Sequence, residues 1–313
     1  MGGGSYDRDV YSSRSSTRSY STVSASTISK SVPTNDMLPS SKGAIACAHE
    51  NPIVIAFDVT GSMGDAARVV YDKLPMFWGE LVNKNYLPDP SVSFFAVGDT
   101  HSDSYPLQLC EFGEGIVLDK YIKKIYLEGG GGGQCSESYE MCAYYYAHCC
   151  SIPNAKIPFF FFIGDEDYYK KLPASDIKKY CDKTYREREV SAASVFDALK
   201  SKWKNVFLLH KKYGMGQDAE IVGNWKRAIG NERVYNMDDP KAVVDMMLGI
   251  IALIAEARTL DDYIVDMKAR DQTDERIALI ESNLSGLNSS LVSIVDTMPA
   301  TSATTKRKGS SRL

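Results

Sequence analysis

"IVIAFDVTGSMGD", Ile53 to Asp65, is an apolar, β-branched run that stops at an aspartate and continues with hydroxyl residues at alternate positions, Thr60 and Ser62. A run that is apolar at nearly every position is what a strand covered on both faces requires. The turn after it points one carboxylate and two hydroxyls at the same place. Two chemistries use that arrangement: a site for a hard cation and an aspartate that accepts a phosphoryl group.

On either side of this stretch strand and helix patterns alternate. "GDAARVVYDKLPMFWGELVNK" has apolar residues at helical spacing, with Pro75 expected to kink it. "SVSFFAVGD" and "PLQLCEF" read as strands, and "VLDKYIKKIYL" as a helix. "EGGGGGQCSESYEMCAYYYAHCC" is a glycine loop entering a helix, and "IPFFFFIGDE" is the most apolar strand of the chain. The helix "ASVFDALKSKW", strand "NVFLLH", helix "DAEIVGNWKRAIG", short strand "ERVYNM" and long helix "PKAVVDMMLGIIALIAEA" follow. This alternation predicts an α/β fold, a doubly wound, mostly parallel, Rossmann-like sheet with helices on both faces. Ligands of such sheets bind at the carboxyl ends of the strands. Asp58, Asp99 and Asp165 all stand there.

Four regions are expected. Residues 1–48 form a Ser/Thr/Tyr-rich arm, too poor in large aliphatics to fold alone, and therefore disordered or extended. Residues 49–258 form the α/β domain and 259–297 a C-terminal helical extension. In that extension Ile277, Ile280, Leu284, Leu287, Leu291 and Ile294 recur every three or four residues, a stripe suited to packing on the main domain or on a coiled-coil partner. Residues 298–313 form a basic, flexible tail.

The net charge of −4 argues against a dedicated nucleic-acid binder. The chain opens on the polar "MGGGSYDRDV", not on a secretory signal, and Tyr6 breaks the myristoylation pattern. "MMLGIIALIAEA" is too short to span a bilayer and reads as a buried helix, so no membrane partner is expected. Seven cysteines without a C-x-x-C pair suggest free thiols in a reducing compartment, and four scattered histidines do not suggest zinc.

"DVTGSMG", the glycine loop running into a helix, and "FFIGDE" together resemble the metal-ion-dependent adhesion site (MIDAS) of von Willebrand factor A (vWA) domains, over about Pro52 to Glu256. The resemblance implies a metal-binding site for Mg2+ (or Mn2+) held by Asp58, Thr60, Ser62 and Asp165, directly or through water, with an open position for a partner's carboxylate. The loop "GGGGGQCSE" departs from the commonest pattern, which has threonine there. Gln134 stands as the neutral third-loop ligand, Ser136 is the alternative donor, and Glu137 matches the glutamate of a variant form. "MGGGSYDRDVY" and "EARTLDDYIVDMKAR" are similar to parts of vWA proteins of bacteria and their phages. That implies a cytoplasmic protein or a phage particle component, working in assembly.

"DVTGSM" also resembles the phosphorylated turn of ion-pumping ATPases and haloacid-dehalogenase-like phosphatases, with "GDTHSD" as their second metal motif. Asp58 would then be a nucleophile, and Asp99 and Asp103 would hold the metal. Only about forty residues separate Asp58 from Asp99, which leaves little room for the phosphate-binding residue and lysine that family needs.

The expected function is therefore protein–protein interaction, not catalysis. A metal-bridged acidic residue would come from a second copy (a homo-oligomer) or from an assembly component, and an AAA+ ATPase is a partner the resemblance admits. The alternatives are a phosphohydrolase, or a structural scaffold with a vestigial metal site.

Overall fold

The computed structural model describes residues 32–127, 135–237 and 239–297, and beyond Leu287 the backbone alone. At its centre are the strands β1 (Asn51–Asp58), β2 (Pro90–Val97), β3 (Leu107–Gly113), β4 (Phe159–Gly164), β5 (Asn205–His210) and β6 (Val234–Asn236). They form one sheet in the order β6-β5-β4-β1-β2-β3. The helices are α1 (Asp65–Asn83), α2 (Ile116–Ile122), α3 (Tyr139–His148), α4 (Ala192–Lys202), α5 (Asp218–Ile229), α6 (Val243–Ile254), α7 (Leu260–Ala269) and α8 (Asp274–Thr297).

Neighbouring strands pair in parallel except β2 and β3, which are antiparallel with Val97 opposite Leu107. The cause is local. The connection from β2 to β3 contains no helix, and Gly98 N–H donates to Pro106 O across it at 2.7 Å. A parallel partner needs a long crossover, so this tight link turns β3 back beside β2. The sheet is therefore mixed, and the expected doubly wound, mostly parallel sheet of the vWA type is corrected to this arrangement.

Successive side chains of a strand point to opposite faces. Ile53, Ile55, Phe57, Phe159, Phe161 and Ile163 enter one apolar core with α1 and α6. Val54, Ala56, Phe160 and Phe162 enter a second core with α3, α4 and α5. Because both faces are covered, β1 and β4 are buried at every position, which is why their sequences show no polar alternation.

Ahead of β1, Met37 joins the first core and Ile45 the second, and Ile45–Ala46 pairs in parallel with Cys150–Ser151. Between β4 and α4 the chain makes a long excursion, Asp165 to Ser191. It carries an antiparallel pair, Lys171–Leu172 with Val190–Ser191, and a π-helical turn, Ile177–Cys181.

The C-terminal helices pack on the chain's own first core through Ile277, Ile280, Leu284 and Leu287. Leu291 and Ile294 lie outside the described side chains. A capping box at Thr259 and Asp262 starts α7. Asp266 then accepts from Lys84 Nζ, Tyr86 OH and Arg258 Nε, each at 2.9 Å. Arg270, nearly buried, donates to Asp245 Oδ1 at 2.8 Å. No described helix is long and apolar enough to cross a membrane.

Gly249 of α6 lies against side chains of both α7 and α8. A Cβ there would stand 2.5 Å from Leu284 Cδ1 and 2.8 Å from Tyr263 Cε1. Gly249→Val is expected to cost about 1–3 kcal/mol through overpacking. Urea denaturation would measure the loss, and faster amide exchange confined to α7 and α8 would locate it.

Candidate functional site

The carboxyl end of β1 delivers Asp58, fully buried, into the first loop. Its Oδ1 accepts from Thr60 N–H at 2.7 Å and Thr60 Oγ1 at 2.5 Å, an aspartate turn that closes on its own backbone. Its Oδ2 accepts from Tyr139 OH at 2.7 Å. Thr60 Oγ1 lies 3.1 Å from Ser62 Oγ, which donates to Asp165 Oδ1 at 3.0 Å. Asp165, also fully buried, follows β4, the neighbour of β1. Lys211, the residue after β5, donates through Nζ to Asp165 Oδ2 and to the Ser62 carbonyl, each at 3.0 Å. Asp58, Thr60, Ser62 and Asp165 thus converge as the sequence predicted. Gln134 lies outside the described residues.

The convergence is sealed by Tyr139, which fits only because residue 164 is glycine: a Cβ on Gly164 would stand 1.7 Å from Tyr139 Oη. Tyr139 and Lys211 were not singled out in the sequence. The signal was there for Lys211, since it follows a strand end as the three aspartates do. Nothing in "SESYEM" marks Tyr139 as a partner of Asp58.

Asp99 and Asp103 play a different part. Asp103 Oδ2 accepts the Asp99 N–H at 2.8 Å, and Asp99 Oδ1 accepts from His101 N–H at 2.9 Å and Tyr169 OH at 3.0 Å. They hold the β2–β3 connection together. Ser136 and Glu137 pair in parallel with Asp167 and Tyr168, which tethers the residues after the glycine loop. Glu137 is buried, and its Oε2 has no hydrogen-bond partner among the described residues.

Negative charge crowded out of water sets the electrostatics. Burial first, and the Asp165 carboxylate second, push the Asp58 carboxyl up to about 7. Burial and the Asp58 charge push Glu137 up to about 11, and burial with Asp165 lifts Glu166 to about 7. Lys211 is the cation held against this group.

The hydroxyl and carboxylate oxygens of Asp58, Thr60, Ser62 and Asp165 are engaged with one another, with Tyr139 and with Lys211. As arranged, they form a hydrogen-bonded knot whose positive charge is an ammonium, and they do not fit as a ligand set for Mg2+ or Mn2+. Among the described residues no group of three or more His, Cys, Asp or Glu side chains is placed to hold a metal ion.

No family model matches the chain, and no curated protein resembles it. Among solved structures it is similar to the pilus adhesin SpaC of Lactobacillus rhamnosus GG, at 10% identity and a TM-score of 0.46, over 68% of this chain and 31% of that one. It is also similar to proximal thread matrix protein 1 of the mussel byssus, at 13% identity and a TM-score of 0.43, over 67% of this chain and 49% of that one. A third is the pilus tip protein Mfa5 of Porphyromonas gingivalis, at 9% identity and a TM-score of 0.38, over 60% of this chain and 47% of that one. The chain spans about a third of the length of the first, 31%, and about half of the others. Resemblance this distant carries no functional argument.

These findings correct the expectation of a vWA domain with a metal-ion-dependent adhesion site. No family model supports it, and the described side chains make no metal group. The two alternatives fall with it. A nucleophilic Asp58 is unsupported because both its oxygens are taken by Thr60 and Tyr139, and Asp99 and Asp103 hold their own turn. The scaffold with a vestigial metal site is not supported either, since the described residues hold no cluster of His, Cys, Asp or Glu placed for a metal ion.

Two outcomes test the knot. Asp58 holds its proton to higher pH in the folded chain, about 7, than its ordinary 3.8, so the unfolded chain binds fewer protons in that window. Asp58's contribution to folding stability should therefore fall as pH rises from about 4 to about 7 and level off above, while the raised Glu166 and Glu137 carboxyls add to the decline there and beyond. Asp58→Asn should make the slope between about pH 4 and 7 shallower in thermal melts. Lys211→Met would strand the buried Asp165 carboxylate, and a loss of about 3–5 kcal/mol is expected in chemical denaturation.

Proposed function

We propose that the chain is an adhesive or structural binding module of a protein assembly, not a catalyst. Its strand-end loops serve as a preorganised rim for a protein partner. The observation that carries this reading is the knot itself. The polar groups at the carboxyl ends of β1, β4 and β5 face one another and lock three loops together. A catalyst needs a nucleophile or base turned toward substrate. A binding surface gains affinity from loops already fixed in place.

The seven cysteines are all unpaired and five are buried, which supports a reducing compartment as the place where this module works. An AAA+ ATPase partner has no comparable support.

Hydrolysis of p-nitrophenyl phosphate and p-nitrophenyl acetate is the discriminating assay. Wild type and Asp58→Asn are expected to give the same background rate. Turnover by wild type that vanishes in the variant, with the melt of the variant intact, would replace the binding reading with an enzymatic one.

A further inference from the structure

In the sheet order β6-β5-β4-β1-β2-β3 the chain leaves β1 toward β2 and returns later to β4 on the other side. The strand order therefore reverses between β1 and β4. In open α/β sheets the crevice at such a reversal, at the carboxyl ends of the strands, is where ligands sit. Asp58 ends β1, and Asp165 and Glu166 follow β4. Asp99 and Asp103 come from the connection after β2, and Glu137 from the residues just ahead of α3.

Glu137 is the side chain that the knot leaves over. It is 2% exposed, and its Oε2 has no hydrogen-bond partner among the described residues. The charges that press on it belong to Asp58, Glu166, Asp99 and Asp103, so its carboxyl is aimed into the space between the ends of β1, β2 and β4. Glu166, 6% exposed, meets the charges of Asp165, Asp99 and Asp103 in the same way. A buried carboxyl oxygen without a donor is unfavourable, and more so among like charges.

Cations are scarce in this crevice. Lys211 serves Asp165, and His101 Nδ1 lies 3.1 Å from Asp99 Oδ1. Neither reaches Glu137 Oε2. The carboxyls are close enough to act on one another, yet no three of them are placed to grip one metal ion. That spacing suits a larger cation, which spreads its donors over several oxygens. A guanidinium does so: it is planar, carries five N–H donors, stays charged and gives up its water more readily than an ammonium. The loops that border the crevice are exposed at Gly61 and Gly64 on the β1 side and at His101 and Ser102 on the β2 side.

We propose that this crevice receives an arginine side chain of a protein partner, its guanidinium lying between Glu137 and Glu166. The inference rests on the reading of the strand-end loops as a protein-binding rim, and it names the chemistry that the rim recognises. The knot stays intact, because Lys211 keeps Asp165 while Thr60 and Tyr139 keep Asp58. The incoming donors supply Glu137 Oε2 with the partner it lacks within the chain.

Heteronuclear amide NMR on the labelled full chain, titrated with acetyl-Gly-Arg-Gly-amide up to about 10 mM, tests it. Saturable shifts are expected at Asp99, Glu137 and Glu166. The citrulline peptide keeps the shape and loses the charge, and it should bind about tenfold more weakly or worse, as should the lysine peptide. Glu137→Gln and Glu166→Gln should each weaken the arginine peptide by about tenfold. Asp261→Asn/Glu275→Gln, which removes exposed charge from α7 and α8, should leave its affinity unchanged. Thermal melts check that each variant folds; should Glu137→Gln fail, Glu166→Gln carries the test. The absence of shifts up to that concentration would overturn the proposal. So would equal binding of the citrulline or lysine peptide, or the same shifts produced by MgCl2 alone. If the p-nitrophenyl esters are not turned over, each of these results removes the arginine site and leaves the rim. Turnover that Asp58→Asn abolishes removes the rim and the arginine site together.

Discussion

Two carboxylates, Asp58 and Asp165, are withdrawn from water at the ends of adjacent strands, near enough for the Asp165 charge to disfavour ionisation of Asp58. Burying one ionised group costs several kcal/mol unless it is paired and hydrogen-bonded. The chain meets that cost with Lys211 on Asp165 and with Thr60 and Tyr139 on Asp58. These partners come from the first loop, the start of α3 and the end of β5. The charge balance of two aspartates therefore fixes how the whole carboxyl edge of the sheet is arranged. Lys211 N–H also donates to Gly164 O at 2.9 Å, which ties the cation's own backbone to the strand that ends in Asp165.

Much of this frame was legible in the residues. β1 and β4 announced themselves as runs without polar alternation, and the structure buries every position of both. Asp58, Thr60, Ser62 and Asp165 were expected to converge, and they do. Strand-end position and side-chain length suffice for that inference. Sequence could not say what would occupy the space among them. A lysine one residue beyond β5 and a tyrosine at the start of α3 reach the same point only once the strands are aligned, and alignment is a tertiary fact. The direction of β3 was lost for a related reason. A strand pattern carries no arrow, and only the short link after Gly98 forces the reversal. The excursion after Asp165 was invisible because its short pairs and π turn have neither helical nor strand period.

The distribution of polar groups separates two kinds of region. Around the knot, oxygens and nitrogens face inward and hydrogen-bond to one another, with Glu137 Oε2 the exception among the described residues. On α7 and α8, Asp261, Asp262, Asp274, Glu275 and Glu281 face outward.

Gly164 and Tyr139 carry a consequence for the history of this chain. The phenol occupies the volume that any side chain on residue 164 would need. Neither position can drift alone: a larger residue at 164 must wait until 139 has shrunk, and a shrunken 139 leaves an aspartate oxygen without its donor. Descendants of this sequence should therefore keep the pair or exchange both together, with a compensating donor elsewhere on the edge.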